Sequence, residues 1–423
     1  MKNINKGISL KSNFIWTLLG NVIFYASQWL ITITIVKVGS NELAGIYSLG
    51  IAIATPLFVL FNMSTRSIQI TDMQNEYSFS DYFSLRFYTT ILGIFSGILW
   101  GFLSVDKLSN LYIIIIICAI KAVDAMADII YGLMQKNERM DLVSKSMVIR
   151  GLTTFGAMFI TFFYTKSLTL SLIVMLIVSL IRLILVDIKS IKTFEVFELR
   201  FNFKKMINLI KVSFPIALVG IIVALNPNIP RYFLQEYLGE DAVGIYSALV
   251  YISVAGNMIS SALGQSMTPR LAKLYKEKKK KSFDKIIKIM ILIALTMSVC
   301  AILLSLVLGK TLLSYLYTAE YIKYYEIFIV IIIWSSINYI SSVFGYALTS
   351  IRYFKQQTYI QLITLILMIL TCYIFISKFG ILGAVISGIT VASVQLLLGF
   401  ILLFIARKQM DQNDKDSYMN AEY

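Results

Sequence analysis

Arg66, Lys121, Asp124, Asp128, Arg182 and Arg231 each stand inside an otherwise apolar stretch of the chain. A lone charge at the middle of a bilayer costs ~2.5–3.5 kcal/mol even on lenient scales, so such a residue turns toward protein or water. The cations among them could bind an anion, since a desolvated Arg engages a phosphate or carboxylate through two parallel hydrogen bonds. Lys121, Asp124 and Asp128 fall three and seven residues apart, on one helical face. With no His anywhere in the sequence, a proton or cation relay would have to rest on carboxylates, and Asp124 and Asp128 are its candidates. The same spacing also allows a plain ion pair within the helix. Arg66 and Arg231 can snorkel to the inner and outer headgroups instead. Arg182, five residues before Asp187 at the inner end of an apolar run, reads as an interface anchor. Cys118, Cys300 and Cys372 are scattered through apolar runs, so neither a metal site nor a disulfide framework is expected. No cofactor is expected, and no Gly-x-x-x-x-Gly-Lys-Ser/Thr loop is present to couple ATP hydrolysis.

The elements that must position these residues follow from composition. Of 423 residues 58% are hydrophobic and 14% charged, against roughly 45–50% and about 25% in soluble domains. Runs such as "LYIIIIICAI" do not alternate, which excludes a membrane barrel and predicts an all-α integral membrane protein. Hydropathy places twelve transmembrane spans near 13–36, 43–68, 84–104, 110–134, 146–164, 168–187, 208–233, 242–268, 284–308, 322–349, 357–377 and 380–406. The first is too long for a signal-peptide core and reads as a retained helix. This gives an N-terminal six-helix bundle (1–187), a cytoplasmic linker (188–207), a C-terminal six-helix bundle (208–406) and a cytoplasmic tail (407–423). Most of the 38 basic residues then fall at inner loops and tails, with Lys37, Lys107, Lys166, Lys310, Lys323 and Lys378 outside. Both termini are therefore expected in the cytoplasm. The net charge of +15 and the run "KEKKKK" at 276–281 belong to this bias and to attraction for anionic lipid, not to nucleic acid.

Gly45-Ile46-Tyr47-Ser48 returns as Gly244-Ile245-Tyr246-Ser247, just inside the second and the eighth span. A duplicated six-helix unit accounts for this, and because six is even the repeat is parallel. Polar stripes run along corresponding helices: Asn21, Tyr25, Gln28 and Thr32 on the first, and Ser253, Asn257, Ser260 and Gly264 on the eighth. Such stripes either line a cavity or glue helices together. Three of the five prolines, Pro215, Pro227 and Pro230, fall in the seventh span. A Pro-broken membrane helix is either a static kink or a hinge, and the hinge is placed here.

The stretch "KAVDAMADIIYGLMQKNERMDLVSKSMVIR" (121–150) resembles the fourth helix and following loop of bacterial polysaccharide flippases. The two GIYS motifs, "SFPIAL" (213–218), "PRYFLQEYLGEDAVGIYS" (230–247) and "FGILGAVISG" (379–388) are similar to other parts of that family in the same order. The family belongs to the multidrug/oligosaccharidyl-lipid/polysaccharide exporter superfamily. The resemblance implies two six-helix bundles facing each other in a V about a central cavity, in the bacterial cytoplasmic membrane. It also implies alternating-access movement of an undecaprenyl-diphosphate-linked oligosaccharide from the inner to the outer leaflet, for synthesis of a surface polysaccharide such as capsule, O-antigen or exopolysaccharide. The partners would be that lipid-linked sugar, membrane lipids and polysaccharide polymerase machinery.

Under this reading Arg66, Lys121 and Arg231 form a series of phosphate stations from inside to outside. Lys121 would lie ~16 Å into its helix, near the midplane. Asn21, Gln28 and Asn257 would line the pathway. The nearest rival is a multidrug or cation antiporter of the same fold, for which an acidic or aromatic cavity is expected. A membrane-embedded glycan polymerase would need catalytic groups on a sizeable external loop, and the outer loops here are short; no enzyme activity is expected.

Overall fold

A computed structural model describes residues 10–419 except 73–75, 106, 138, 193 and 196–197, and does not describe the side chains of 10–14, Thr71, Pro215, Ala255, Gln265, Pro269 and 409–419. Among the described residues the chain is helical with no strand, as lipid demands, because only a helix or closed barrel satisfies every backbone donor and acceptor there. The helices are α1 Leu10–Val38, α2 Asn41–Phe61, α3 Thr65–Thr71, α4 Phe79–Ser104, α5 Leu108–Lys136, α6 Met140–Thr165 and α7 Leu168–Arg182. A π-helical turn, Leu183–Ile188, leads to α8 Lys189–Ile191. There follow α9 Phe203–Leu225, α10 Ile229–Tyr251, α11 Val254–Lys276, α12 Lys280–Leu316, α13 Tyr325–Ser350 and α14 Phe354–Met419.

Local chemistry starts and stops these elements. Ser40 accepts from the Leu43 amide (3.2 Å) at the start of α2. Ser78 and Asp81 form a reciprocal capping box on α4, at 3.3 and 3.0 Å. The expected span 43–68 is not one helix: Met63 and Ser64 take left-handed backbone angles (φ +50° and +47°), ending α2 and letting α3 leave in a new direction. The span at 208–233 breaks at 226–228, with Pro227 in the break and Pro230 in the first turn of α10, where its missing N–H breaks no intrahelical bond. Gly239 (φ +80°) interrupts α10, and Gly380 (φ +57°) divides α14 between the spans expected at 357–377 and 380–406.

Among the described residues nine helical segments are long and apolar enough to cross a bilayer. One of them, Phe354–Lys408, runs for 55 residues, more than twice the roughly 20 a crossing needs. α5 is not among them; its apolar run carries Lys121, Asp124 and Asp128. Outward faces are strongly apolar: Leu103 on α4 and Val307 on α12 are 83% and 77% exposed. Water would penalise such a surface and hydrocarbon would not. The protein is a multi-pass membrane protein.

By packing, the chain forms two compact units, Met1–Gln235 with Glu240–Ile245, and Glu236–Gly239 with Tyr246–Tyr423. In the first, α5 lies at the centre, touching α2, α3, α4, α6 and α7. Its core gathers Tyr82, Leu85, Ala127, Ile129, Ile130 and Leu133. In the second, α13 packs against α11, α12 and α14 around Phe283, Met290, Tyr339 and Ala347.

The repeated motif has a packing reason. A methyl group on Gly45 would collide with the Glu240 carbonyl, and one on Gly244 with the Asn41 carbonyl. Each glycine thus meets the residue four positions before its counterpart, a reciprocal contact of the kind a local twofold produces. Only hydrogen at Cα leaves room for the backbones to touch. Gly45→Ala and Gly244→Ala are each expected to destabilise the first unit by about 1–3 kcal/mol. Thermal unfolding in detergent should show melting lowered by several degrees for both, and an unchanged melting temperature in either would show that the backbones can part without cost.

Candidate functional site

The site is built on one stripe of α5: Lys121, Asp124, Asp128, Tyr131 and Gln135, spaced three and four residues apart and therefore stacked on one face. Neighbouring helices supply the partners. The left-handed turn at Met63 and Ser64 lets α3 bring Arg66 to Asp128, with Nη1 donating to Oδ1 at 2.7 Å and Nη2 donating to Gln135 Oε1 at 2.7 Å. Arg86, only 1% exposed, approaches the same carboxylate from α4, donating from Nη1 to Oδ2 at 3.4 Å. Its other donors are used by Thr65 Oγ1 (3.1 and 2.8 Å) and the Ala125 carbonyl (3.3 Å). Asp128 is thus clamped by two arginines while staying about one-third exposed (34%).

In the loop before α4, outside the spans, Asp72 accepts from the Glu76 and Tyr77 amides (3.0 and 3.2 Å) and the Tyr82 hydroxyl (3.0 Å). Burial alone would raise its carboxyl, but these donors outweigh it and hold the group below the usual carboxylate range. The loop that carries α3, and with it Arg66, is fastened to α4 in this way.

One turn back along α5, Asp124 is ion-paired with Arg150 of α6. Gly151 allows α1 and α6 to approach closely, since a methyl group there would press on Phe24 Cα and Ser27 Oγ. The guanidinium of Arg150 consequently lies 4.4 Å from the centre of the Phe24 ring, a cation–π contact. Lys121 makes no ion pair among the described residues, because Arg150 has taken Asp124. Its ammonium faces a cavity of about 30 Å³ with Gln28, Tyr47, Asp124, Arg150 and Thr154 in the wall. That is room for one or two small polar atoms. The second carboxylate oxygen of Asp124, Oδ1, is buried with no hydrogen-bond partner.

Taken together, Lys121 of the stripe and Arg66, Arg86 and Arg150 from the neighbouring helices face Asp124 and Asp128, so the site as a whole carries more positive than negative charge. Guanidinium and ammonium groups in such excess are suited to an anion.

The structure brings Lys121, Asp124 and Gln28 into one cavity wall and places Arg66 with Asp128 about 10 Å further along the helix. Asn21 is half-buried on α1. Arg231, at the start of α10, donates from Nη1 to Asn228 Oδ1 (2.5 Å). Asn257, exposed on α11, belongs to the second unit. Arg182 departs from the expectation of an interface anchor. It is 2% exposed and bonded to Asp187 (2.7 Å), Tyr131 Oη (3.0 Å) and Ser146 Oγ (3.1 Å), the π-helical turn setting Asp187 back toward it. A headgroup anchor would reach outward; this one closes an internal network. The ion pair expected as an alternative between Lys121 and Asp124 is replaced by the one from Arg150. Arg86 and Arg150 escape sequence reasoning because both sit near the ends of apolar runs, where hydropathy assigns charges to headgroups. The visible signal was that each lies inside a predicted span.

A family model described as "Polysaccharide biosynthesis protein" matches residues 10–275, and one described as MatE matches residues 215–374. The chain is 27% identical, over 392 residues, to the capsular polysaccharide biosynthesis protein CapF of Staphylococcus aureus, covering 92% of this chain and 97% of that protein. Its fold is similar to that of the lipid II flippase MurJ in an inward closed conformation, with a TM-score of 0.76 and 15% identity over 94% of this chain and 90% of that one. An inward-facing multidrug resistance MATE family transporter of the MOP superfamily is also similar, with a TM-score of 0.66 and 13% identity over 92% and 95% of the two chains. At these identities the two structures establish the fold.

Because Arg86 is buried and holds three separate acceptors, its removal should cost more than removal of the partly exposed Arg66. Arg86→Met is expected to lower stability by about 2–4 kcal/mol, Arg66→Met by about 1 kcal/mol or less. Adding Asp128→Asn to Arg86→Met should recover part of the loss. Unfolding in detergent by tryptophan fluorescence measures all three, and an Arg86→Met protein as stable as the parent would show that the clamp does not hold α4 to α5.

Proposed function

The chain belongs to the polysaccharide biosynthesis protein family of the multidrug/oligosaccharidyl-lipid/polysaccharide exporter superfamily, and from that premise we propose that it flips an undecaprenyl-diphosphate-linked oligosaccharide repeat unit. The movement runs from the inner to the outer leaflet of a bacterial cytoplasmic membrane, both termini lying in the cytoplasm, and feeds a polysaccharide polymerase. The observation that carries the reading is the excess of cations on the α5 stripe, with Lys121 left without a carboxylate of its own and facing a cavity.

A diphosphate presents several oxygens in the geometry that guanidinium groups match, and Lys121 adds a point charge. The diphosphate meets Arg66 at the inner end of the stripe, then Lys121 and Arg150, drawing Arg150 from Asp124, and Arg231 receives it further out. Each carboxylate released in this way, Asp128 and then Asp124, is free to take up a proton or cation, which is how an ion gradient would be coupled. Gln28, Asn21 and Asn257 meet the sugar hydroxyls. The hinge is the segment of Pro215, Pro227 and Pro230, and the two six-helix repeats joined by residues 188–207 are the bodies that alternate.

The similarity to MATE transporters keeps a cation antiporter as the competing reading. Against it stands the state of Asp124 and Asp128: a cationic drug needs an available carboxylate, and both already hold arginine. A glycan-forming enzyme is supported by neither the site nor the fold.

Proteoliposomes carrying fluorescent undecaprenyl-diphosphate oligosaccharide test the reading. Wild type should flip it, and Lys121→Met and Arg150→Met should each slow flipping by about tenfold or more, as expected for losing one charge-assisted contact. Equal flipping by both folded variants would remove the stripe from the pathway. Absence of flipping with efflux of a cationic dye would establish the antiporter.

A further inference from the structure

The second unit carries a cationic patch that the transport reading does not use. Lys281, Lys285 and Lys288 recur at every fourth or third residue of α12 and are exposed, so they form one row along its first turns. The row continues as Leu292, 63% exposed, with Ile289 beside it. Within one turn the same helix face changes from ammonium groups to hydrocarbon, the change a helix makes on passing from headgroups into acyl chains. The acid in this row, Asp284, is occupied by Arg407 Nη2 at 2.6 Å. None of the three lysines forms an ion pair among the described residues.

Two hollows meet here. One, of about 410 Å³, is walled by the three lysines, Asp284, Ile289 and Leu292. The other, of about 210 Å³, is walled by Ile291, Phe344, Phe400, Leu403 and Phe404 along its apolar length. Asp284 and Lys288 border both. A cationic cup therefore opens into an apolar groove formed by α12, α13 and α14.

We propose that this paired hollow is a binding site for an anionic diacyl phospholipid, its phosphodiester on Lys281, Lys285 and Lys288 and one acyl chain along Phe344, Phe400 and Phe404. A soluble anion would leave the groove empty, and a neutral lipid would leave the row of ammonium groups without a counter-charge. Only a molecule that is anionic at one end and hydrocarbon at the other satisfies both, and basic pockets at the ends of membrane helices select such lipids. The site is independent of the α5 stripe, and its occupancy is read without any flipping assay.

The test places a tryptophan in the groove by Phe404→Trp and reconstitutes the protein in phosphatidylcholine vesicles. Brominated phosphatidylglycerol or brominated phosphatidylcholine is then titrated in, and quenching is measured against the protein without the substitution to remove the four native tryptophans. Phosphatidylglycerol should quench at roughly tenfold lower mole fraction than phosphatidylcholine. Combining Lys281→Gln, Lys285→Gln and Lys288→Gln should bring the two curves together, and the corresponding three Lys→Arg changes should keep them apart. Equal quenching by the two lipids, or a preference that survives the three Gln substitutions, would overturn the proposal. Displacement of the brominated lipid by a polyprenyl phosphate at lower mole fraction would overturn it as well, giving the groove to a carrier lipid.

Discussion

Charge inside a helix that crosses lipid has to be answered by neighbouring groups, and in the first unit α5 is where the answers converge. Arg66 and Arg86 meet Asp128 from α3 and α4. Arg150 meets Asp124 from α6. The packing of α3, α4 and α6 around α5 thus rests on ion pairs as well as on apolar contact. Removing the buried Arg86, or Arg150, would leave buried polar groups without partners, which costs more than losing the partly exposed Arg66. The same constraint explains the left-handed turn at Met63 and Ser64. Two non-glycine residues there take positive φ, and the turn they make brings Arg66 to Asp128 and Gln135.

An arrangement of this kind is held closed but can be reopened. Carboxylates already engaged by arginine are poor hosts for a cation, while the arginines remain good hosts for a better anion. A diphosphate, with more charge and more acceptor oxygens than one carboxylate, can exchange for it on the same guanidinium. Lys121, without a carboxylate of its own, lines the cavity beside Asp124 and Arg150. Arg182 marks the contrast: it is buried, and its Nη1 is engaged by Asp187, Tyr131 and Ser146.

Helix positions were readable in the sequence because apolar run length maps directly onto bilayer thickness. The stripe on α5 was readable too, since charges in the middle of an apolar run are conspicuous and their spacing fixes their face. Arg86 and Arg150 were not, because a charge near the end of a run looks the same whether it snorkels to headgroups or turns inward. Only the fold distinguishes the two. The break at 62–64 was hidden for a related reason: Asn62-Met63-Ser64 contains neither Gly nor Pro, and hydropathy is blind to backbone handedness. Gly239 and Gly380 announce their breaks by residue type. The doubled GIYS motif pointed to an internal repeat, and the reciprocal contacts of Gly45 and Gly244 add the physical reason both copies keep glycine.

The central claim is that the α5 stripe is where the phosphate of the substrate binds. It is tested most directly by solving the structure of the protein with a short-chain polyprenyl diphosphate bound. The account predicts phosphate oxygens within hydrogen-bond reach of Lys121 and Arg150, with the Arg150–Asp124 pair opened. A diphosphate bound elsewhere, with that pair intact, would contradict it.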